Sequence, residues 1–216
     1  MEEKNILSTK KHILGVCPVR MSKILNEFIR GFQFLQKYDN TVTFFGSSRA
    51  KANTKYYKKA FNLSFDLSKE GYTIVTGGGG GVMEAANKGA YVAGGNSVGI
   101  NINLPKGERK NKYVKDSVSF DYFFIRKVML TFASQAYIFL PWGFGTLDEF
   151  FEIITLIQTK KVKKIPVILV HKSYWRPLLS WIEKKLQKSE KTISKKDTKI
   201  YHLVDTKKEA LEILKK

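Results

Sequence analysis

The chain has 216 residues, 43% hydrophobic and 13% aromatic, which fits a single globular domain with a core of its own. One cysteine, Cys17, excludes an internal disulfide framework, and no apolar run approaches the ~20 residues a membrane-spanning helix needs. Lys and Arg number 38 against 19 Asp and Glu, a formal +19 that favours phosphorylated partners. No recognisable nucleic-acid module interleaves aromatic with basic residues, so no specific nucleic-acid partner is expected. The charged start, Met1-Glu2-Glu3-Lys4, leads into no long apolar core, so neither a secretory signal nor a membrane partner is expected, and the location predicted is cytoplasmic.

Residues 1–40 read as an irregular start followed by an amphipathic helix, with Ile24, Leu25, Phe28, Ile29, Phe32 and Leu35 on one side, packed on the domain that follows. Over 41–216 strands and helices alternate. Short β-rich apolar runs occur at Val42–Phe45, Thr73–Val75, Ser97–Ile102, Tyr137–Leu140, Pro166–Val170 and Ile200–Val204. Helical stretches fall at Tyr56–Lys69, Val82–Val92, Phe123–Gln135, Thr146–Thr159, Tyr174–Leu186 and Lys207–Leu214. Runs apolar throughout imply strands buried on both faces. The order predicts one α/β domain: a Rossmann-like, doubly wound, mostly parallel sheet with helices on both faces. The segment Asn103–Asp121, with Pro105, Gly107 and five basic residues, reads as a flexible loop.

In such sheets ligands sit beyond the carboxyl ends of the strands, so the loops there carry the search. After the first strand, Gly46-Ser47-Ser48-Arg49 offers small residues, two hydroxyls and a guanidinium to a phosphate or ribose. After the second, Gly77-Gly78-Gly79-Gly80-Gly81 runs into Val82-Met83-Glu84. Five glycines in a plain connector would lose much entropy on folding, so a ligand against the backbone at Gly78, Gly79 and Gly80, or close strand–helix packing, is expected. The run matches no nucleotide-binding consensus. Glu84 is either a first-turn dipole partner or a substrate contact.

The third loop, Pro141-Trp142-Gly143-Phe144-Gly145-Thr146, leads from a buried strand into a helix. N–H groups of Gly143, Gly145 and Thr146 are placed to hold an anion at the helix start. Spacing alone reads Thr146-x-x-Glu149 as a capping box. Arg126-Lys127, on the preceding helix, reads by pattern alone as a solvated pair.

Taken together, Gly46-Ser47-Ser48, Gly81-Val82-Met83-Glu84-Ala85-Ala86, Phe123-Phe124-Ile125-Arg126-Lys127 and Pro141…Gly145-Thr146-x-x-Glu149 resemble the LONELY GUY (LOG) family, whose members often carry the label lysine decarboxylase. The resemblance spans about residues 40–205. It implies a phosphoribohydrolase that cleaves the N-glycosidic bond of a nucleoside 5′-monophosphate, AMP or an N6-modified AMP, to free base and ribose 5-phosphate. It also implies Arg126 and Glu149 as the catalytic pair, with phosphate or ribose held by Gly46, Ser47, Ser48, Gly78–Gly80, Lys127 and Gly143-Phe144-Gly145-Thr146. The family signature has glycine where this chain has Trp142, a departure that bears on the loop's geometry and on substrate contact.

No motif points to a pyridoxal-phosphate lysine, and His12, His171 and His202 are scattered, so no cofactor or metal is expected. A non-catalytic binder or carrier of a phosphorylated ligand, like the related molybdenum-cofactor carriers, is the alternative. Phe150, Phe151, Ile153, Ile154, Leu156 and Ile157 make an apolar surface wider than one core-facing stripe, and the resemblance favours a homodimer or larger homo-oligomer.

Overall fold

The computed structural model describes residues 18–104, 110–141 and 143–215; His12, Cys17 and Trp142 lie outside them. Seven strands form one parallel sheet: β1 (Thr41–Phe45), β2 (Thr73–Thr76), β3 (Ser97–Ile102), β4 (Asp116–Phe120), β5 (Ala136–Phe139), β6 (Val167–Val170) and β7 (Tyr201–Val204). Their spatial order is β4-β3-β2-β1-β5-β6-β7. Among the described residues seven α-helices accompany them: α1 (Pro18–Leu35), α2 (Lys55–Lys69), α3 (Val82–Val92), α4 (Phe123–Phe132), α5 (Phe144–Gln158), α6 (Lys172–Trp181) and α7 (Lys207–Leu214).

The central strands β1, β2, β5 and β6 are buried along their whole length because each side chain meets a helical layer. Val42, Phe44, Ile74, Ile138 and Ile168 point to a core shared with α2, α3 and α7. Phe45, Val75, Tyr137, Phe139 and Leu169, one residue out of phase, point to the core under α1, α4, α5 and α6. The two-residue period of the strand thus feeds two cores from one run. No helix among the described residues is long and apolar enough to cross a membrane.

Three local expectations are corrected. Asn103–Asp121 is not loop throughout: Asp116–Phe120 forms the edge strand β4, in register with Val98–Ile102 of β3. Helix α4 stops at Phe132 rather than Gln135, because Gln135 N–H donates to the Thr41 carbonyl (3.0 Å) as the chain enters β5. Helix α6 ends at Trp181 and continues as a π-helical segment, Ile182–Ser189.

The strand order reverses between β1 and β5. That reversal opens a crevice at the carboxyl edge, where the loops after β1, β2 and β5 meet.

Candidate functional site

The three loops are fastened to one another before any ligand is considered. Ser47 N–H donates to the Pro141 carbonyl (3.1 Å), and Val82 N–H donates to the Ser47 carbonyl (2.9 Å). Such closeness needs glycine. A Cβ on Gly46 would strike the Val82 side chain, and one on Gly81, at φ +65°, would strike the Ser47 carbonyl. A cavity of about 620 Å³ opens beside these loops, walled by Gly46, Ser47, Ser48 and Arg49, by Gly77 and Met83, by Ile102 and Leu104, and by residues of α4 and the start of α5.

The glycine run serves packing more than access. Of it only Gly77 reaches the cavity wall; Gly78, Gly79 and Gly80, expected at the ligand, are not among the lining residues. They are held from behind. The Asn111 amide nitrogen approaches the carbonyls of Gly78 (3.1 Å) and Gly79 (2.9 Å) and Asn87 Oδ1 (2.9 Å). Thr76 Oγ1 accepts from Gly78 N–H (2.8 Å) and donates to Asn87 Oδ1 (2.7 Å). Gly78 has φ +76°, and a Cβ there would overlap Asn101. Asn87 and Asn111 escaped the sequence reading, since isolated asparagines carry no spacing signal. Their burial is what marks them: a buried amide is retained where it satisfies backbone groups. Glu84 also faces elsewhere, accepting from the Tyr57 hydroxyl (3.0 Å), while its neighbour Met83 lines the cavity.

Arg126 and Glu149 face each other across the cavity wall, Nη1 to Oε1 at 4.0 Å, with side chains 12% and 5% exposed. Each is seated by its own element. Glu27 of α1 accepts the N–H groups of Asp121 (2.9 Å) and Tyr122 (3.4 Å) and so fixes the entry to α4. From α4 the Arg126 Nε donates to the Ile100 carbonyl (3.2 Å), and its guanidinium lies 5.7 Å from the Phe123 ring centre. A Cβ on Gly77 would overlap that guanidinium, so the one glycine of the run that lines the cavity makes room for the arginine.

Glu149 does not cap its helix. Helix α5 begins at Phe144 with Gly143 as N-cap and no side-chain cap bond, which puts Thr146 inside the first turn and Glu149 in the second. The carboxylate is therefore buried against Arg126. Its Oε2 has no hydrogen-bond partner among the described residues, and burial pushes its carboxyl up to about 7 against the pull of Arg126 and Lys127. Lys127, expected at a phosphate, lies outside the cavity wall: its ammonium sits between Asp148 and Glu152, 2.7 Å from each, bracing α4 against α5.

Gly143, Phe144, Gly145 and Thr146 line the cavity at the α5 N-terminus, and a Cβ on Gly143 or Gly145 would meet nothing within 4 Å. These glycines, unlike the run after β2, keep backbone open to the cavity. Thr146 N–H is engaged with the Gly143 carbonyl (3.2 Å), which leaves the N–H groups of Phe144 and Gly145, both residues of the cavity wall, without intrahelical acceptors. Phe144 is 92% exposed at the lip. Trp142, the departure from the family signature, falls outside the described residues.

The arrangement joins a helix N-terminus, two serines and Arg49, which suit an anion, to a buried guanidinium and a carboxyl that burial raises to about 7, which suit proton or cation chemistry. No group of three or more His, Cys, Asp or Glu that could hold a metal occurs among the described residues. Residues 83–214 match the family described as "Possible lysine decarboxylase". A Rhodococcoides fascians protein named "Cytokinin riboside 5'-monophosphate phosphoribohydrolase" is 30% identical over 149 residues, 66% of this chain and 74% of that protein. The rice protein "Probable cytokinin riboside 5'-monophosphate phosphoribohydrolase LOGL5" is 29% identical over 153 residues, 68% of this chain but 61% of its own length. Among solved structures, a molybdenum cofactor binding protein of Rippkaea orientalis has a TM-score of 0.57 and 25% identity, over 81% of this chain and 93% of that one. With the Arg-Lys pair on α4 and the Gly-Thr-x-x-Glu loop in place, the chain belongs to this family, the LOG family, whose description preserves the decarboxylase label.

Proposed function

We propose that this protein hydrolyses the N-glycosidic bond of a nucleoside 5′-monophosphate, AMP or an N6-modified AMP, with Glu149 and Arg126 as its catalytic pair. The observation that carries the reading is the buried Glu149 carboxylate, one oxygen toward Arg126 and the other without a partner among the described residues, at the wall of a cavity large enough for a nucleotide. Departure of the base leaves positive charge on the sugar, as in glycoside hydrolysis. A deprotonated Glu149 stabilises that cation and orients the attacking water. The first N–H groups of α5, with Ser47, Ser48 and Arg49, hold the 5′-phosphate, and the Arg126 guanidinium holds the ribose side. The relatives' names as phosphoribohydrolases support the same reading.

Incubation with AMP and with N6-modified AMP, followed by chromatography, tests it: free base and ribose 5-phosphate in equal amounts are expected. The carrier reading has in its favour the likeness to the molybdenum-cofactor-binding protein, and tight nucleotide binding without base release would decide for it. Assembly into a homodimer or larger homo-oligomer belongs to the proposal too. Phe150, Ile153 and Ile157 of α5 are buried within the monomer, while Phe151, Phe124 and Phe132 are 39%, 50% and 59% exposed and available to a second copy. Light scattering measures the outcome.

A further inference from the structure

Away from the cavity, α2, α3 and the β3–β4 connection bring together a chain of aromatic rings and lysines that no stretch of sequence displays. Phe65 stacks with Phe61 at 6.3 Å, and the Lys88 ammonium lies between Phe61 (5.9 Å) and Tyr113 (5.5 Å). Tyr113 meets Tyr91 edge-on at 5.9 Å. Lys69 sits over Phe65 (5.7 Å), Lys112 over Tyr113 (5.4 Å) and Lys115 over Tyr91 (5.6 Å). Tyr91 is 49% exposed, a large ring turned to solvent.

Among the described residues the charge on this face is not neutralised locally. Lys69, Lys88, Lys112 and Lys115 make no ion pair among the described residues. The carboxylates nearby are engaged: Asp66 with Lys207, Glu70 with Lys215, and Glu84 with the Tyr57 hydroxyl. A lysine held over one face of a ring keeps its outward N–H groups for an anion and leaves the ring's other face to a base. Regularly spaced phosphates with a planar group on each unit match that alternation. A single strand has such bases free to stack, whereas a duplex hides them. A simple polyanion would use the lysines alone.

We infer that this face binds single-stranded nucleic acid in a sequence-tolerant way, with Lys69, Lys88, Lys112 and Lys115 on the phosphates and Tyr91 on the bases. The surface lies outside the residues lining the cavity and does not depend on the hydrolase reading. It also gives part of the formal +19 a partner.

Fluorescence anisotropy with a labelled oligothymidylate of about 20 nucleotides, titrated at several salt concentrations, tests the inference. The triple variant K69Q/K88Q/K112Q, which spares Lys115 because that ammonium also bonds the Gly94 and Gly95 carbonyls, is expected to bind at least ~10-fold more weakly. Its log–log salt slope should fall by about 2, the release expected for three phosphate contacts on a single strand. Tyr91→Ala should weaken binding ~10-fold with the slope unchanged, the mark of stacking. A charge-matched control, K184Q/K185Q/K195Q, on exposed lysines elsewhere, should lose much less; circular dichroism and melting curves verify that each variant is folded. Equal losses in the two triple variants, no effect of Tyr91→Ala, a duplex held as tightly as the strand, or no binding by the wild-type protein would each overturn it.

Discussion

The same four-residue pattern occurs twice in this chain with opposite outcomes. Thr206-x-x-Glu209 is a capping box at α7: Glu209 N–H donates to Thr206 Oγ1 (3.2 Å), and Thr206 N–H donates to Glu209 Oε2 (2.9 Å). Hydrogen bonds from Lys172 and from the Asp205 and Thr206 N–H groups pull the Glu209 carboxyl down to about 2. Thr146-x-x-Glu149 has the same spacing, yet its helix starts at Phe144, three residues earlier than a Thr146 cap would place it, and the glutamate rolls one turn inward. There burial raises the carboxyl to about 7. The pattern is thus a statement about spacing only; the position of the first helical residue decides whether the carboxylate meets donors or is deprived of them.

The contrast is broken most directly by neutralising each copy. Glu149→Gln should cut turnover on the order of 10³-fold while nucleotide still binds, whereas Glu209→Gln should leave turnover near wild type; base release under saturating substrate measures both. Wild-type turnover in Glu149→Gln would remove the catalytic assignment. Next in size is the partner of the buried copy. Gly77→Ala forces a Cβ into the Arg126 guanidinium, and a displacement of about 1 Å there is expected to lower turnover ~100-fold. Arg126→Lys, which shortens the side chain without adding a Cβ at Gly77, should show a comparable loss if position rather than charge is at stake.

The loop that starts the inward-rolled helix offers a smaller effect. Gly145→Ala adds a Cβ with nothing within 4 Å, so the melting temperature should hold while KM rises ~10-fold if that backbone faces the phosphate. An unchanged KM would place the anion elsewhere.

The smallest effects lie in the pH dependence of stability, where the two glutamates have opposite signs. Folded Glu149 keeps its proton to about pH 7, while the unfolded chain releases it near the ordinary value of 4.5. Between those values the folded state binds the extra proton, so stability falls as pH rises. Glu149→Gln should therefore be more stable than wild type at about pH 8, on the order of 1–3 kcal/mol, and nearly equal to it at about pH 4. Glu209 is the reverse. Its contribution is present above its unfolded value near 4.5 and is lost as pH falls toward 2, so Glu209→Gln should melt a few degrees lower at neutral pH. Thermal melts across the pH range measure both. In activity, kcat/KM should rise through about pH 7 as Glu149 releases its proton.

Much of the architecture was legible because both cores draw on unbroken apolar strands: Ser97–Ile102, Val82–Val92 and Lys207–Leu214 fall where hydrophobic pattern and punctuation place them. The edge strand β4 was not. In Asp116-Ser117-Val118-Ser119-Phe120 only Val118 and Phe120 are buried, and the preceding lysines give the stretch a loop's composition. The glycine run stands out as exceptional, but the cause is tertiary: Asn101, Ser47 and Arg126, from three different elements or loops, occupy the space that side chains would need, and Asn111 holds the carbonyls of Gly78 and Gly79. Nor could spacing place the start of α5, since an exposed aromatic such as Phe144 is no usual first helical residue. The lysine–aromatic face is hidden for a like reason, being assembled from three segments that are each unremarkable alone.

The two hydrogen bonds that lace the loops together, Ser47 to Pro141 and Val82 to Ser47, have a kinetic consequence. Opening any one loop must break a bond that another loop shares, so the crevice rim opens as one cooperative unit rather than as three independent ones. Deuterium uptake at the Ser47 and Val82 amides should then proceed at a common rate, and a nucleotide held by any one loop should slow exchange in both.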